Sequence, residues 1–255
     1  MSFLIEAKGL RKKYGDFVAV QHATFNIKPG EVVGFLGPNG TGKTTTIKML
    51  TGLLEPDDGY ALMAGFDIQK EPLKAKAQFA YVPETPNLYG KLKAIEHLRF
   101  MGQLYHVPPD EADERIKRLL DLFDLTDKAG GYLDGFSHGM QQKVAIIGAL
   151  LHNPQVILLD EPTMGLDPRS ARLVKDLLVQ HCNNGNAVFF SSHILEIVEN
   201  MCDRVIIINK GEILADAPVD QLRQMKGDQS LEDIFLELTG GKEVDELVKE
   251  LGNAG

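Results

Sequence analysis

Eight residues near the N-terminus limit the possible folds of this chain more than any other feature. Positions 37–44 read G-P-N-G-T-G-K-T, a complete G-x-x-x-x-G-K-[ST] phosphate loop. An apolar segment, residues 32–36, precedes the loop, and a segment of helical character, residues 44–51, follows it. Glycines let backbone N–H groups curl around a phosphate, and a helix N-terminus adds a favourable dipole. The loop therefore predicts an α/β fold with a phosphate site after a buried strand.

Individual roles follow from the chemistry of the loop. Lys43 is expected to reach the β- and γ-phosphates of a nucleotide, and the hydroxyl of Thr44 is expected to bind Mg²⁺. The residues expected to surround the phosphates are Gly37, Pro38, Asn39, Gly40, Thr41, Gly42, Lys43, Thr44 and Thr45.

Composition narrows the class of protein. The chain has 255 residues, 44% of them hydrophobic and 25% charged, which is ordinary globular usage and enough for a real core. Its formal net charge of −9 disfavours a general nucleic-acid binder. The two cysteines, Cys182 and Cys202, lack metal-type spacing and indicate unpaired thiols in a reducing compartment.

No segment of the sequence predicts a membrane span. The N-terminus lacks the basic start and long apolar stretch of a signal peptide. The apolar runs at residues 156–159, 187–190 and 205–208 are strand-sized and fall well short of the ~18–20 residues that cross a bilayer. We expect the chain to be soluble when isolated and to contact a membrane only through partners.

The order of apolar segments predicts two sheets. Runs without polar alternation indicate strands buried on both faces, at residues 32–36, 156–159, 187–191 and 205–209. Three earlier segments predict a smaller antiparallel region, at residues 3–10, 18–27 and 60–64.

Helical patterns occupy the middle and the end of the chain. In the stretch 88–151 the strand signal disappears, and one amphipathic helix face is predicted by Ile116, Leu119, Leu120 and Phe123. Residues 94–105 and 140–151 also predict helices, so this stretch is expected to be an inserted helical subdomain. Two further amphipathic patterns follow a segment at 212–217: Leu231, Ile234, Phe235 and Leu238, then Val244, Leu247, Val248 and Leu251. We predict one domain over residues 1–218 and a short helical extension over 219–255.

A second motif supplies carboxylates. Residues 156–161 read V-I-L-L-D-E, an apolar strand that ends in Asp160 and Glu161. Ligands bind α/β sheets in the crevice outside the carboxyl ends of the strands. Asp160 suits a Mg²⁺ contact, and Glu161 suits polarising an attacking water. An acidic pair alone is more often a surface feature, but the phosphate loop favours the functional interpretation.

These two motifs still fit a kinase, a GTPase, a helicase or a transporter ATPase. Residues 136–143, F-S-H-G-M-Q-Q-K, precede the acidic strand and open a helix. They resemble the signature motif of ABC ATPases, usually written L-S-G-G-Q. Ser137 and Gly139 match, whereas Phe136, His138 and Met140 replace the usual Leu, Gly and Gln. The resemblance implies that Ser137 and Gly139 meet the γ-phosphate held by a second subunit, at a helix N-terminus suited to an anion.

Other parts of the ABC pattern occur in the family's order. Tyr14 stands where the family places an aromatic ring that stacks on adenine, and His193 stands where it places a γ-phosphate contact. The segment T-M-G-L-D, residues 163–167, resembles the loop that crosses the dimer interface. Glu84 replaces the glutamine that most members carry, and its carboxylate keeps an oxygen that can approach Mg²⁺ or water.

The resemblance implies a fold and an activity. The fold is α/β, a RecA-like P-loop NTPase core with an antiparallel β subdomain and an inserted α-helical subdomain. The activity is that of a Mg²⁺-dependent ATPase, and the chain is expected to dimerise when it binds ATP. The implied catalytic residues are Glu161, His193 and Lys43. The nucleotide site includes Tyr14, Glu84, Ser137 and Gly139, and the metal contacts come from Thr44, Asp160 and Glu84.

The resemblance also implies partners. The chain is expected to serve transmembrane permease subunits at the cytoplasmic face of the cell membrane, as a homodimer or heterodimer, without nucleic acid. A coupling helix of the partner is expected near residues 84–92, where Leu88 and Tyr89 are expected to be exposed. Glu84, the altered signature and the tail L-E-D-I-F at 231–235 most resemble ABC-2-type exporters. An importer ATPase and a soluble ABC ATPase of chromosome maintenance or translation remain alternatives.

Overall fold

The computed structural model describes residues 3–225 and 230–240. Its strands are β1 (Ile5–Tyr14), β2 (Phe17–Ile27), β3 (Val32–Leu36), β4 (Asp58–Met63), β5 (Phe66–Asp67), β6 (Phe79–Val82), β7 (Val156–Asp160), β8 (Ala187–Ser192), β9 (Arg204–Asn209) and β10 (Glu212–Pro218). Its helices are α1 (Lys43–Leu50), α2 (Pro72–Lys76), α3 (Ala94–Leu104), α4 (Pro109–Leu122), α5 (His138–Leu151), α6 (Pro168–Asn183), α7 (Leu195–Met201), α8 (Val219–Met225) and α9 (Leu231–Thr239).

The larger sheet has six strands in the order β10-β9-β3-β8-β7-β6. Its members pair in parallel except for β10, which lies antiparallel to β9 at the edge. Every residue of β3, β7 and β8 is buried, as expected of strands covered on both faces. The predicted buried strands are thus confirmed. Because the carboxyl ends of β3, β7 and β8 share one edge, the segments that follow them meet there.

The smaller sheet has four antiparallel strands in the order β2-β1-β4-β5, which confirms the predicted antiparallel region. Aromatic side chains connect it to the larger sheet. The ring of Phe189 on β8 lies 5.4 Å from that of Phe25 on β2 and 5.2 Å from that of Phe35 on β3, measured between centroids. The two sheets therefore share one packed core.

Helices α3, α4 and α5 pack against one another between residues 88 and 151. This stretch is described throughout and contains no strand, only an isolated bridge between Lys93 and Tyr132. The predicted amphipathic face is confirmed, since its four members are at most 7% exposed: Ile116, Leu119, Leu120 and Phe123.

The first of the two predicted tail helices is confirmed as α9, in which Leu231 and Ile234 are fully buried. Glu199 on α7 holds α8 and α9 in place, accepting hydrogen bonds from Arg223 Nη2 at 2.9 Å and from the Leu231 backbone N–H at 3.2 Å. The second predicted pattern lies outside the described residues: Val244, Leu247, Val248 and Leu251. In the described part of the chain, no helix is both long and apolar enough to cross a membrane.

Candidate nucleotide site

A cavity of about 510 Å³ opens at the carboxyl edge of the larger sheet. Its volume lies in the range of small-molecule sites, roughly 300–1,000 Å³. The cavity brings together most of the residues predicted for the site: Tyr14, Asn39, Gly40, Gly42, Lys43, Thr44, Thr45, Glu84, Asp160, Glu161 and His193.

The phosphate loop joins β3 to α1, as its motif predicts. Its close approach to other backbone segments requires glycine at two positions. A Cβ added to Gly42, which has φ +105°, lies 2.4 Å from the carbonyl oxygen of Ala19, and one added to Gly37 lies 2.4 Å from that of Ile208. Thr41 Oγ1 donates to the Pro38 carbonyl at 2.8 Å. Thus Gly37, Pro38 and Thr41 shape the loop rather than line the cavity.

Lys43 is almost fully buried beneath this loop. Its Nζ donates to the carbonyl oxygens of Gly37 at 2.6 Å and Pro38 at 3.1 Å. Burial lowers the pKa of Lys43, and the nearby carboxylates, Glu161 foremost, act in the opposite direction. The ammonium group is therefore held between the loop carbonyls and the acidic residues of the same cavity.

The acidic pair ends β7 as predicted, and both side chains are buried, Asp160 at 2% exposure and Glu161 at 8%. Ser191 on β8 holds them: its Oγ donates to Asp160 Oδ1 and accepts from the Glu161 backbone N–H at 3.2 Å. Glu161 has φ +50°, a left-handed conformation that is uncommon for a non-glycine residue and often marks functional sites.

Glu161 and His193 form a hydrogen-bonded side-chain pair in the cavity, with Glu161 Oε1 2.8 Å from His193 Nδ1. When Glu161 is ionised it can only accept, so Nδ1 must carry the shared proton. Burial raises the pKa of Glu161, and the hydrogen bond from His193 partly offsets this rise. The arrangement places a carboxylate of raised basicity beside an imidazole that orients it.

The signature residues lie elsewhere in the single chain. Ser137 is exposed and caps α5, its Oγ accepting from the Met140 backbone N–H at 3.3 Å. A Cβ on Gly139 lies 2.5 Å from the Gly165 carbonyl oxygen, so only glycine fits there. Neither Ser137 nor Gly139 lines the cavity.

Helix α5 is tied to the loop that follows Glu161. Gln142 Nε2 donates to the Pro162 carbonyl at 3.3 Å, and Lys143 Nζ lies 3.1 Å from Asp167 Oδ2. Asp167 also caps α6, and its hydrogen bond from Ser170, more than its contact with Lys143, holds the pKa of this carboxyl well below its usual range. Helix α5 and the loop after Glu161 therefore form one connected unit.

Three residues that line the cavity were not among those predicted for the nucleotide site: Phe17, Ala19 and Met164. Met164 belongs to the segment 163–167, which was expected to cross the dimer interface. For Phe17 a signal existed, since it follows the two-residue turn after Tyr14 and pairs with it across the hairpin.

The residues of the cavity fit Mg²⁺ only if a substrate supplies further ligands. In residues 3–225 and 230–240, no group of three or more His, Cys, Asp or Glu side chains is placed to hold a metal. Mg²⁺ commonly uses one or two carboxylates together with substrate phosphates, not an all-protein cage. The Thr44 hydroxyl, buried Asp160 and exposed Glu84, all lining one cavity, match that donor set.

Comparison with known proteins identifies the class of protein that this fold and cavity define. Residues 20–164, more than half of the chain, match the family model described as "ABC transporter". The chain therefore belongs to the ABC transporter family. The predicted ABC ATPase fold is confirmed, and so is the predicted function, an ATP-binding subunit that powers transport.

Curated relatives place it among ATP-binding subunits. The chain is 40% identical over 220 residues to the ABC transporter ATP-binding protein NatA of Bacillus subtilis, covering 86% of this chain and 89% of the relative. It is 39% identical over 212 residues to the linearmycin resistance ATP-binding protein LnrL of the same organism, covering 83% and 68%. The SkfA peptide export ATP-binding protein SkfE, also from B. subtilis, is 37% identical over 221 residues, covering 87% and 92%.

Solved structures agree with these relatives. One described as the ATP-binding subunit of an ABC transporter superposes with a TM-score of 0.88 at 35% identity, covering 92% of this chain and 99% of the other. A dimeric ATP-binding cassette, MJ0796, bound to ADP and phosphate superposes with a TM-score of 0.74 at 27% identity, covering 84% and 98%. ATP-binding subunits of this family dimerise and work with transmembrane components.

Proposed function

We propose that this chain is the Mg²⁺-dependent ATPase subunit of an exporter. One observation carries the proposal: a single cavity joins the phosphate loop, the acidic end of β7 and the Glu161–His193 pair. The export direction is supported by relatives whose names refer to resistance and peptide export. An importer ATPase predicts a different class of membrane partner, and a soluble ABC ATPase predicts none.

Each group of residues in the cavity has a separate proposed role in binding or hydrolysing ATP. Lys43 and the backbone N–H groups of the loop bind the β- and γ-phosphates. Thr44 and Asp160 would hold Mg²⁺ together with the phosphates, and Glu84 would supply a further oxygen for the same metal or its water. When bound, Mg²⁺ neutralises developing phosphate charge. Glu161 takes a proton from the attacking water, and His193 positions Glu161 and contacts the γ-phosphate end.

Two further contacts complete the nucleotide site. Tyr14 is 51% exposed at the cavity, which leaves its ring face available for adenine. Ser137 and Gly139 reach the γ-phosphate bound by a second subunit. Their position outside the cavity of their own chain supports this role.

The Mg²⁺ contact can be tested through Ser191, whose hydroxyl donates to Asp160. Removing a residue that hydrogen-bonds to a metal ligand lowers metal affinity roughly 10–100-fold. We expect Ser191→Ala to raise the Mg²⁺ concentration for half-maximal ATP hydrolysis by about 10-fold. Titrating Mg²⁺ at saturating ATP measures this. The matched control is Ser192→Ala, since that neighbouring buried hydroxyl accepts from the Ile194 backbone instead. An equal effect of both variants would contradict Asp160 as the metal contact.

The surface for the transmembrane partner is proposed at the loop 84–92 and the adjoining groove. Leu88 is half-buried against the core, which corrects the expectation that it is exposed. Tyr89 is 60% exposed, as expected, and packs edge-on against Phe100 at 5.7 Å between ring centroids. A groove of about 370 Å³ beside it is lined by Leu88, Tyr89 and residues of α3 and α5. Exposed aromatic side chains next to a groove are typical anchors for a partner.

Co-purification from solubilised membranes tests this surface. We expect the wild-type chain to retain a protein with transmembrane segments, identified by mass spectrometry, and Tyr89→Asp to weaken its retention roughly 30-fold, the ~2 kcal/mol scale of an interface hot spot. The matched control is Tyr132→Asp, which alters another exposed tyrosine of the helical region, 55% exposed. Loss of the partner with both variants, or with neither, would show that Tyr89 is not the anchor. ATP binding by the isolated Tyr89→Asp chain should be unchanged.

A further inference from the structure

The tip of the β1–β2 hairpin carries two large exposed rings. Tyr14 ends β1 and Phe17 begins β2, and they are Cα partners across a two-residue turn. Gly15, the first turn residue, has φ +58°, as hairpin turns that begin with glycine require. Side chains directly opposite each other in an antiparallel pair lie on the same face, with Cβ atoms about 5 Å apart. The two side chains therefore make up one exposed surface of the hairpin tip.

This surface belongs to the nucleotide cavity. Tyr14 is 51% exposed and Phe17 is 61% exposed, and both line the cavity together with Ala19. A single exposed aromatic side chain is ordinary on a protein surface. Two rings that share a face at the mouth of a cavity with a phosphate loop form a surface on which a base can stack.

The hairpin is held at a fixed distance from the phosphate loop. A register shift between Lys12 and Lys13 leaves Ala19 as an extra residue on β2, and the carbonyl of Ala19 is the group that excludes a side chain at Gly42. A second connection runs through Gly211. Its carbonyl accepts from the Gln21 backbone N–H at 2.9 Å, and its own N–H donates to the Thr41 carbonyl at 3.1 Å.

Asp57 fixes the hairpin tip from the other side. Its two carboxylate oxygens accept from Lys12 Nζ and from the Lys13 backbone N–H, each at 2.8 Å. Lys12 Nζ also donates to the Glu55 carbonyl at 2.7 Å. The segment that presents the rings is thus held by hydrogen bonds within the chain, which limits the ordering cost of binding.

We propose that Phe17 is a second base-binding residue, so that the nucleobase of ATP lies on Tyr14 and Phe17 together. This inference rests on the proposed function, since it takes the cavity to be the ATP site. Stacking contacts the face of the base and not its edges, so the surface accepts either purine. The backbone connections through Ala19 and Gly211 set the distance between the surface that binds the base and the loop that binds the phosphates.

The test compares a ligand that has a base with one that lacks it. Isothermal titration with ADP and with inorganic pyrophosphate, each with Mg²⁺, avoids turnover. Phe17→Ala is expected to weaken ADP binding at least about fivefold, the lower end of the measured range for loss of one base–aromatic stack. Pyrophosphate binding is expected to stay unchanged. Phe17→Leu is expected to fall between wild type and Phe17→Ala, and Tyr14→Ala to behave like Phe17→Ala.

The matched control is Tyr132→Ala, which removes a ring of similar exposure outside the cavity and is expected to leave both affinities at the wild-type values. ADP affinity of Phe17→Ala equal to that of the wild type would overturn the inference. So would an equal loss for ADP and pyrophosphate, because that pattern reports a damaged hairpin and not a lost base contact. A wild-type chain that bound neither ligand would instead refute the proposed function.

Discussion

Glu161→Gln is expected to hydrolyse ATP at least ~100-fold more slowly than the wild type while still binding ATP, the scale expected when a general base is lost. The amide keeps the size and the hydrogen-bonding oxygen of the side chain but cannot accept a proton. Glu161 is buried and its carboxylate lies 2.8 Å from His193, so the substitution removes the proposed proton acceptor from the cavity. Single-turnover hydrolysis and a separate binding titration measure the two effects independently.

Glu84→Gln is the matched control for this experiment. It makes the same carboxylate-to-amide change in the same cavity, but Glu84 is exposed whereas Glu161 is buried. We expect its turnover to remain within a few-fold of the wild type, since the amide oxygen keeps the contact assigned to this position. Near-normal turnover by Glu161→Gln, or an equal loss in both variants, would remove Glu161 from the catalytic role.

Two further variants separate binding from chemistry. Lys43→Ala is expected to lose most ATP binding, because the phosphate charge loses its main side-chain partner. His193→Ala is expected to resemble Glu161→Gln, with ATP bound and hydrolysis slow, because it removes the group that orients the base and contacts the γ-phosphate end.

The pH dependence of turnover follows from the same pair. Burial raises the pKa of Glu161, so its ionised, basic form is lost at a higher pH than that of an exposed glutamate. We therefore expect single-turnover rates to fall on acidification before exposed carboxylates titrate. In Glu161→Gln this acid limb should be absent, because no proton can be taken up at that position.

The parts of the fold that could be predicted are those whose sequence pattern lies within one short segment. Strands β3, β7 and β8 are apolar runs without polar alternation, so burial on both faces could be read directly from the chain. Strand β6 has only four residues, Phe79–Val82, and such a short run carries no periodicity. Leu88 was expected to be exposed because its segment was expected to contact a membrane partner, yet its side chain packs on the core, against residues distant in the sequence.

The residues of the site likewise divide into those with a local sequence pattern and those placed only by the fold. Asp160 ends a buried strand, Lys43 and His193 come after two others, and the parallel order of those strands brings the three residues together. The close approach of Ala19 to Gly42 depends on a register shift in a hairpin, which no local pattern encodes. Phe17 is brought to the site by its pairing with Tyr14 across the two-residue turn. The role of Ser137 depends on a second chain, so it stays a prediction that assembly experiments must test.

Glu161→Gln is further expected to accumulate as a dimer with ATP and Mg²⁺ and to stay largely monomeric without nucleotide. ATP carries several negative charges into the interface, and the α5 N-terminus at Ser137 is the feature proposed to neutralise them from the opposite chain. The exposed position of Ser137, outside the cavity of its own chain, leaves it free for that contact. Hydrolysis is expected to dissolve the dimer in the wild type, whereas slow hydrolysis should preserve it.

Adding Ser137→Arg to Glu161→Gln is expected to abolish this dimer, because the long arginine side chain fills the space for the partner's γ-phosphate. ATP binding by each monomer should remain, since Ser137 does not line the cavity. Size exclusion coupled to light scattering, with and without ATP, measures the assembly. Titration of a fluorescent ATP analogue measures binding by the monomer.

The matched control addresses the helix cap that Ser137→Arg also removes. Ser230 is another exposed serine that caps a helix, its Oγ accepting from the Asp233 backbone N–H at 3.1 Å. Each cap is worth about 1 kcal/mol of stability, so Ser230→Arg in the Glu161→Gln background tests cap loss alone and should leave the ATP-dependent dimer intact. If the Ser137→Arg double variant dimerises as well as Glu161→Gln, the signature does not act across the interface in this protein. The replacements Phe136, His138 and Met140 would then be the first positions to examine, because they are where its signature departs from the family pattern.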